Sequence, residues 1–272
     1  MTASRTTAQA DDAIRVLEAL RNANPLVHCM TNIVVAGFTA NVLLAVGASP
    51  AMVENAEESA EFAEIADALL INLGTLSPDK VSAMRLAVTA ATASKTPWVL
   101  DPVAVGAISY RTRFASSLLT KAPTIIRGNA SEILSLAGVA NSAGRGVDST
   151  ADSQTALAIA AEFAHRQGSV VALSGEIDYI TNGLETIEVS NGHPIMTRVT
   201  GVGCALGALI ASCASVEPSP LIAASAGTTL LTVAAEIAVK ESRGSGSFAM
   251  ELIDALYCLD ESSIRHYVGA TL

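Results

Sequence analysis

Charge is what this chain has least of. Asp, Glu, Lys and Arg make up 15% of its 272 residues, against about a quarter in ordinary soluble domains, while 50% are hydrophobic. So few charges cannot comfortably cover a monomer, which predicts helices buried on both faces, surface lost to subunit contacts, or both. The 16 Lys and Arg stand singly in a chain of net charge -10, so no basic patch is available for nucleic acid or anionic lipid. Cys29, Cys204, Cys213 and Cys258 include no Cys-x-x-Cys pair, which excludes zinc-ribbon and dithiol redox motifs and predicts free, mostly buried thiols. The first ten residues carry no apolar segment of signal-peptide length, and the expected location is the cytoplasm. Repeats, low-complexity tracts and linkers are missing too, which predicts a single domain over residues 1–272. The longest apolar stretch, Leu221 to Val239, is broken by Ser225, Gly227, Thr228, Thr229, Thr232 and Glu236, and reads as a buried helix rather than a membrane span.

What is present is alternation. Helix-period segments at Asp11 to Leu20, Ala36 to Val46, Glu57 to Asp67, Pro78 to Ala93 and Ser153 to Gln167 alternate with short apolar runs. Those runs, at Leu26 to Met30, Ala51 to Val53, Ala68 to Ile71, Trp98 to Leu100, Thr124 to Ile126 and Ser169 to Leu173, suit buried parallel strands. After Gly175 the pattern changes to Asp178 to Thr181, Glu185 to Val189 and Ile195 to Val199, punctuated by Asn182-Gly183 and Asn191-Gly192, which predicts antiparallel strands at one sheet edge. Three long helical segments are expected from Gly201 to near Ile264. The fold class is therefore α/β: a three-layer α/β/α sandwich, its central sheet mostly parallel with an antiparallel edge.

The segment richest in chemistry is Thr200-Gly201-Val202-Gly203-Cys204-Ala205, between the hairpin region and an apolar helix. Two glycines let backbone approach a ligand, and the helix start offers free amides and a positive dipole end to an anion. The same pattern also describes a tight turn into a packed helix. A thiol at that position is expected to have a lowered pKa and to act as base or nucleophile. Asp101 follows Trp98-Val99-Leu100 and Arg127 follows Thr124-Ile125-Ile126, so both stand at carboxyl ends of strands, where open α/β sheets place their ligands. Arg127 suits phosphate oxygens or a salt bridge, and Asp101 suits a cation or a turn before Pro102. Glu132 lies one helical turn beyond Asn129; the two either face one ligand or form a capping box. The four histidines, His28, His165, His193 and His266, are read as packing or surface residues. P-loop and protein-kinase signatures are both absent.

Gly201-Val202-Gly203-Cys204 resembles the Gly-x-Gly-Asp anion hole of the ribokinase-like superfamily in its hydroxyethylthiazole kinase version, where Cys stands in place of Asp. Gly47 to Met52, Asp101-Pro102-Val103, Arg127 to Ile133 and Ser174 to Asp178 resemble that family in the same order, from Pro25 to Leu259. The resemblance implies a ribokinase-like fold, ATP as cosubstrate, Mg²⁺, and transfer of a phosphoryl group to a thiazole alcohol. It implies Cys204 as the base; Asp101 and Glu132 in the Mg²⁺ region; Arg127, Ser174, Asn129 and Gly203 at ATP; and Met52, Gly201 and Asn32 at the thiazole. For Met52, simple core packing is the competing reading. The resemblance also implies a homotrimer, with Asn72-Leu73-Gly74-Thr75 reaching a neighbouring site. The sequence departs from the family pattern at Ala104-Val105, where Gly-Ala is usual, at Ser174 for Thr, and at Val202 for Ala. Relatives that phosphorylate hydroxymethylpyrimidine or pyridoxal, or dehydrate a hydrate with ATP, usually carry Asp where this chain has Cys204. A thiazole- or nucleotide-binding protein without turnover is the reading from a different class.

Overall fold

The computed structural model describes residues 2–139 and 150–270, with side chains described over 9–139 and 154–269. One eight-stranded sheet, in the order β2-β1-β3-β4-β5-β6-β7-β8, organises them. Its strands are β1 (Leu26–Met30), β2 (Ser49–Ala51), β3 (Ala68–Asn72), β4 (Trp98–Asp101), β5 (Ile125–Asn129), β6 (Val170–Ser174), β7 (Asp178–Thr181) and β8 (Thr186–Val189). Neighbours from β2 to β6 are parallel, while β7 and β8 turn back as an antiparallel edge.

Side-chain alternation within the strands sorts the core into two layers. Ala68 and Leu70 face one cluster while Leu69 and Ile71 face the other, and Val99 opposes Trp98 and Leu100 in the same way. On the first face lie α1 (Thr2–Ala23), α2 (Ala36–Ala45), α8 (Val202–Val216), α9 (Pro220–Glu241), α10 (Ser245–Cys258) and α11 (Glu261–Ala270). The second is covered by α3 (Ser59–Ile65), α4 (Pro78–Ser94), α5 (Ser109–Leu119), α6 (Ala130–Leu136) and α7 (Thr150–Gln167). The expected three-layer sandwich is thus present. The low charge content also has its explanation, because α8 and α9 are buried over most of their lengths. Although α9 is long and apolar enough to cross a membrane, 78% of its most apolar window is buried inside the fold.

Chain direction across the sheet reverses once. From β1 the chain leaves toward β2 through α2 on the first face, then returns past β1 to β3 through α3 on the second face. Keeping one crossover hand requires that change of face. A crevice therefore opens at the carboxyl ends of β1 and β3, the usual ligand position in such sheets.

The structure corrects four expectations. First, β2 is Ser49–Ala51 rather than Ala51 to Val53, because the Val53 carbonyl leaves the ladder to meet His28 Nε2 at 2.8 Å. Second, Ile195 to Val199 is no strand: Pro194, which has no N–H for a ladder, starts a 3₁₀ helix over Pro194–Arg198, and His193 Nδ1 accepts from Ile195 N–H. Third, four helices rather than three follow Gly201 among the described residues, since Asp260 accepts from Ser263 N–H and starts α11 at Glu261, which carries helix past the expected end near Ile264. Fourth, Cys258 is exposed, whereas Cys29 and Cys213 are buried and their thiols are pushed up to about 12 by desolvation.

Phe248 is 0% exposed and anchors α10 to the first-face core. Replacing Phe248 with Ala leaves a cavity there and lowers unfolding free energy by about 3–5 kcal/mol, read as a lower midpoint in urea denaturation at unchanged slope.

Candidate active site

Strand parity brings the polar residues together. Asn72, Asp101, Arg127 and Ser174 each lie one or more alternations beyond core residues, and each falls on the α8 side of the sheet. Asn72 pairs with Asp101 across β3 and β4, and Asn129 with Ser174 across β5 and β6. Four adjacent strand ends thus present a polar row, and α8 lies over β1, β3 and β4.

Glycine controls that approach. Gly201 enters α8 at φ 94°, a left-handed conformation that suits glycine, and a Cβ there would lie 2.4 Å from Val35 Cγ1. One turn apart on the sheet side, Gly203 and Gly207 leave room for charged side chains: a Cβ would stand 3.0 Å from Arg127 Nη1 in the first case and 3.3 Å from Asp101 Oδ2 in the second. The first turn of α8 therefore sits directly above a carboxylate and a guanidinium.

Asp101 is 0% exposed. Its Oδ2 accepts from Asn72 Nδ2 at 2.7 Å; its Oδ1 has no hydrogen-bond partner and lies 3.9 Å from Arg127 Nη1. Desolvation pushes the carboxyl up to about 7, with the Arg127 charge opposing, Glu132 adding to the rise and Asn72 opposing. Arg127 also donates to Ser174 Oγ at 3.0 Å, and its buried Nε has no partner. A buried carboxylate oxygen without a donor, beside an arginine whose hydrogen-bonding capacity is unfilled, fits a cation and the phosphate oxygens it accompanies. Among the described residues there is no group of three or more His, Cys, Asp or Glu that could hold a metal ion.

Glu132 and Asn129 form the capping box. Asn129 Oδ1 accepts from Glu132 N–H at 3.0 Å, and Glu132 Oε2 accepts from Asn129 N–H at 3.0 Å. Glu132 Oε1 accepts from Ala104 N–H at 2.9 Å, tying the loop after β4 to α6. Ala104 is held there at φ 62°, a left-handed conformation disfavoured for residues with a Cβ, which explains why glycine is the more natural residue.

Cys204 lies in the first turn of α8, half-buried, with Asn32 Nδ2 donating to its Sγ at 3.2 Å. Its ionisation is the reverse of the sequence expectation. Burial and the Asp101 charge hold the thiol above its ordinary value, outweighing Asn72, Asn32 and Arg127. The sequence placed the thiol correctly but could not see the carboxylate beneath it. Met52 packs on the first-face core directly after β2, consistent with its packing reading.

Three contributors escaped the sequence reading. Asn72, which the sequence reading noted only within the Asn72 to Thr75 segment, is 1% exposed and bonded to Asp101 and Asn32 of its own chain. Asp178 accepts from Gly175 N–H at 3.0 Å, and burial pushes its carboxyl up to about 6 beside Arg127. Lys80 joins the ends of β1 and β2, pairing with Glu54 at 2.8 Å and donating to the Thr31 carbonyl at 3.1 Å. Asn72 and Asp178 stood in family-like segments without a role at this site, and Lys80 was signalled only by its position at a helix start.

The hydroxyethylthiazole kinase family model matches this chain over residues 17–262, a span that includes the start of α8, Asp101 and Arg127. The chain belongs to the hydroxyethylthiazole kinase family. It is 55% identical to the hydroxyethylthiazole kinase of Leptospira borgpetersenii serovar Hardjo-bovis over 91% of this chain and 93% of that one. The solved hydroxyethylthiazole kinase protein of Pyrococcus horikoshii OT3 superposes with a TM-score of 0.87 at 37% identity, covering 94% of this chain and 96% of that one. A ribokinase-like superfamily protein from Enterococcus faecalis, 15% identical, shares the fold with a TM-score of 0.59 over 85% of this chain and 86% of its own. This is a ribokinase-like kinase fold.

The raised Asp101 pKa makes a prediction about stability without ligands. Below the unfolded value of 3.8 the carboxyl is protonated in both states and costs nothing. As pH rises toward about 7 only the unfolded state gives up its proton, so folding is increasingly penalised, and the penalty then levels off. Asp101→Asn should therefore raise the melting temperature above pH 7, with the gain shrinking toward zero near pH 4. A series of thermal melts across that range checks it.

Proposed function

We propose that this chain transfers the γ-phosphoryl group of ATP to the hydroxyl of hydroxyethylthiazole, giving the thiazole phosphate used in thiamin biosynthesis. The observation that carries this reading is the Cys204 thiol at the start of α8, fixed by Asn32 and standing over Asp101 and Arg127. Relatives with other substrates usually have Asp at that position.

The alcohol oxygen forms its bond to the γ-phosphorus as the bond to the β-bridging oxygen breaks, and ADP leaves. The alcohol proton passes to the Cys204 thiolate. Because the transition state for such transfer is loose, positioning and charge neutralisation matter more than early deprotonation. Amides from Gly201 to Cys204 meet the transferred group, Arg127 and Ser174 hold phosphate oxygens, and Gly203 leaves the guanidinium room beneath them. Asn129 caps α6 at the nucleotide side. Bound Mg²⁺ would neutralise phosphate charge. Asp101, whose Oδ1 has no hydrogen-bond partner, and Glu132, whose oxygens already accept two backbone N–H groups, would hold it. Asn32, Met52 and Gly201 surround the thiazole end.

Assembly follows the same reading: a cytoplasmic homotrimer with the thiazole bound where subunits meet. Ile33 and Val34, directly after Asn32, are 77% and 66% exposed and support a covered position there. Light scattering should give about three times the 27.8 kDa chain mass. A one-chain mass at micromolar concentration would refute it.

Purified protein with Mg-ATP should convert hydroxyethylthiazole to its phosphate, with a higher specificity constant than for hydroxymethylpyrimidine or pyridoxal alcohols. The reverse order would replace this assignment with the neighbouring kinases. Cys204→Ala should lower kcat by about 10²–10⁴-fold, the usual worth of a general base, with little change in thiazole affinity. Cys204→Ser should behave like Ala and Cys204→Asp should keep activity. Since the base works deprotonated and its thiol is held high, wild-type kcat should climb with pH through the neutral and alkaline range; Cys204→Asp should move that limb to lower pH.

A further inference from the structure

Cys204 is one end of a row of side chains whose orientations determine one another. At the far end Asp101 Oδ2 can only accept while the carboxyl is ionised, so Asn72 turns its NH₂ toward it, at 2.7 Å. That leaves Asn72 Oδ1 facing the opposite way, where it accepts from Gly74 N–H at 3.0 Å and from Asn32 Nδ2 at 3.2 Å. The Gly74 N–H is a backbone donor that cannot reverse, so it pins the Asn72 amide independently of Asp101. Asn32 in turn must present its NH₂ to Asn72, and the same NH₂ donates to Cys204 Sγ at 3.2 Å. Gly74 keeps the row compact: a Cβ there would lie 2.5 Å from Asn32 Cβ and 2.9 Å from Nδ2. Asn72 and Asn32 are 1% and 6% exposed, so water cannot readily replace either amide.

We infer that Asn72 is a positioning residue for the phosphoryl transfer: it fixes the Asn32 amide so that a donor, never an acceptor, faces the sulfur. A sulfur facing an N–H is favoured as thiolate over thiol, and one facing a carbonyl is not. Asn32 alone could turn either way; the carbonyl of Asn72 removes the choice. The inference rests on the reading of Cys204 as the base.

The test compares Asn72→Leu, close in size but without polar atoms, with Asn72→Ser, which keeps a shorter polar group able to donate and to accept. Asn72→Leu should lower kcat about tenfold, the worth of one hydrogen bond to a charged group, with thiazole and ATP KM within about threefold. Asn72→Ser should recover part of that loss. In a Cys204→Ala background Asn72→Leu should cost less than about twofold further, because its effect passes through the sulfur. Without any substrate, iodoacetamide should alkylate Cys204 several-fold more slowly in Asn72→Leu, measured in a Cys258→Ser background by peptide mass. If Asn72→Leu does not fold, Asn72→Ala in the same two backgrounds carries the comparison. An unchanged alkylation rate, or the full tenfold loss persisting in Cys204→Ala, overturns the inference. Slowed alkylation together with full turnover by Cys204→Ala would instead overturn the base assignment and leave the orienting role of Asn72 standing.

Discussion

The burial of the Asp101 carboxylate is the constraint around which this molecule is arranged. A carboxylate removed from water at the end of a central strand is costly unless neighbours compensate it. The protein supplies one amide donor from Asn72 and an arginine at 3.9 Å, and leaves Oδ1 unmatched. That partial compensation shapes its surroundings. Helix α8 can lie over the carboxylate because Gly207 has no side chain to collide with it, and Arg127 can reach toward it because Gly203 has none either. Arg127 is then shared between Asp101 and Ser174, which links the ends of β4, β5 and β6 into one electrostatic unit.

The two faces of the sheet have different duties. The second face is a conventional layer of crossover helices. The first carries helices from both ends of the sequence, and its inner member α8 is buried almost throughout. A helix so enclosed cannot adjust its depth without disturbing packing on all sides. Its first turn is therefore held at a fixed height above the strand ends.

Most of the architecture was legible because parallel strands buried on both faces leave continuous apolar runs, as at Ala68 to Ile71, and because Asp101 and Arg127 terminate such runs. The antiparallel edge was legible at Asn182-Gly183, where the hairpin between β7 and β8 stands. What failed depends on partners remote in sequence. Val53 leaves the sheet for His28, and Asn72 finds Asp101 on β4 and Asn32 just beyond the end of β1. The Cys204 ionisation failed for the same reason: a helix start is local and visible, while the buried charge beneath it arrives from more than a hundred residues away.

A thiol held protonated has a chemical advantage unrelated to phosphoryl transfer. Peroxide, electrophiles and soft metal ions attack the thiolate, and sulfenic acid formation at the sulfur of a base would end its usefulness. Desolvation and the neighbouring Asp101 charge raise the Cys204 thiol above its ordinary value and so disfavour the thiolate. The carboxylate that makes the site expensive to fold is thus also the charge that disfavours the form of the sulfur such reagents attack.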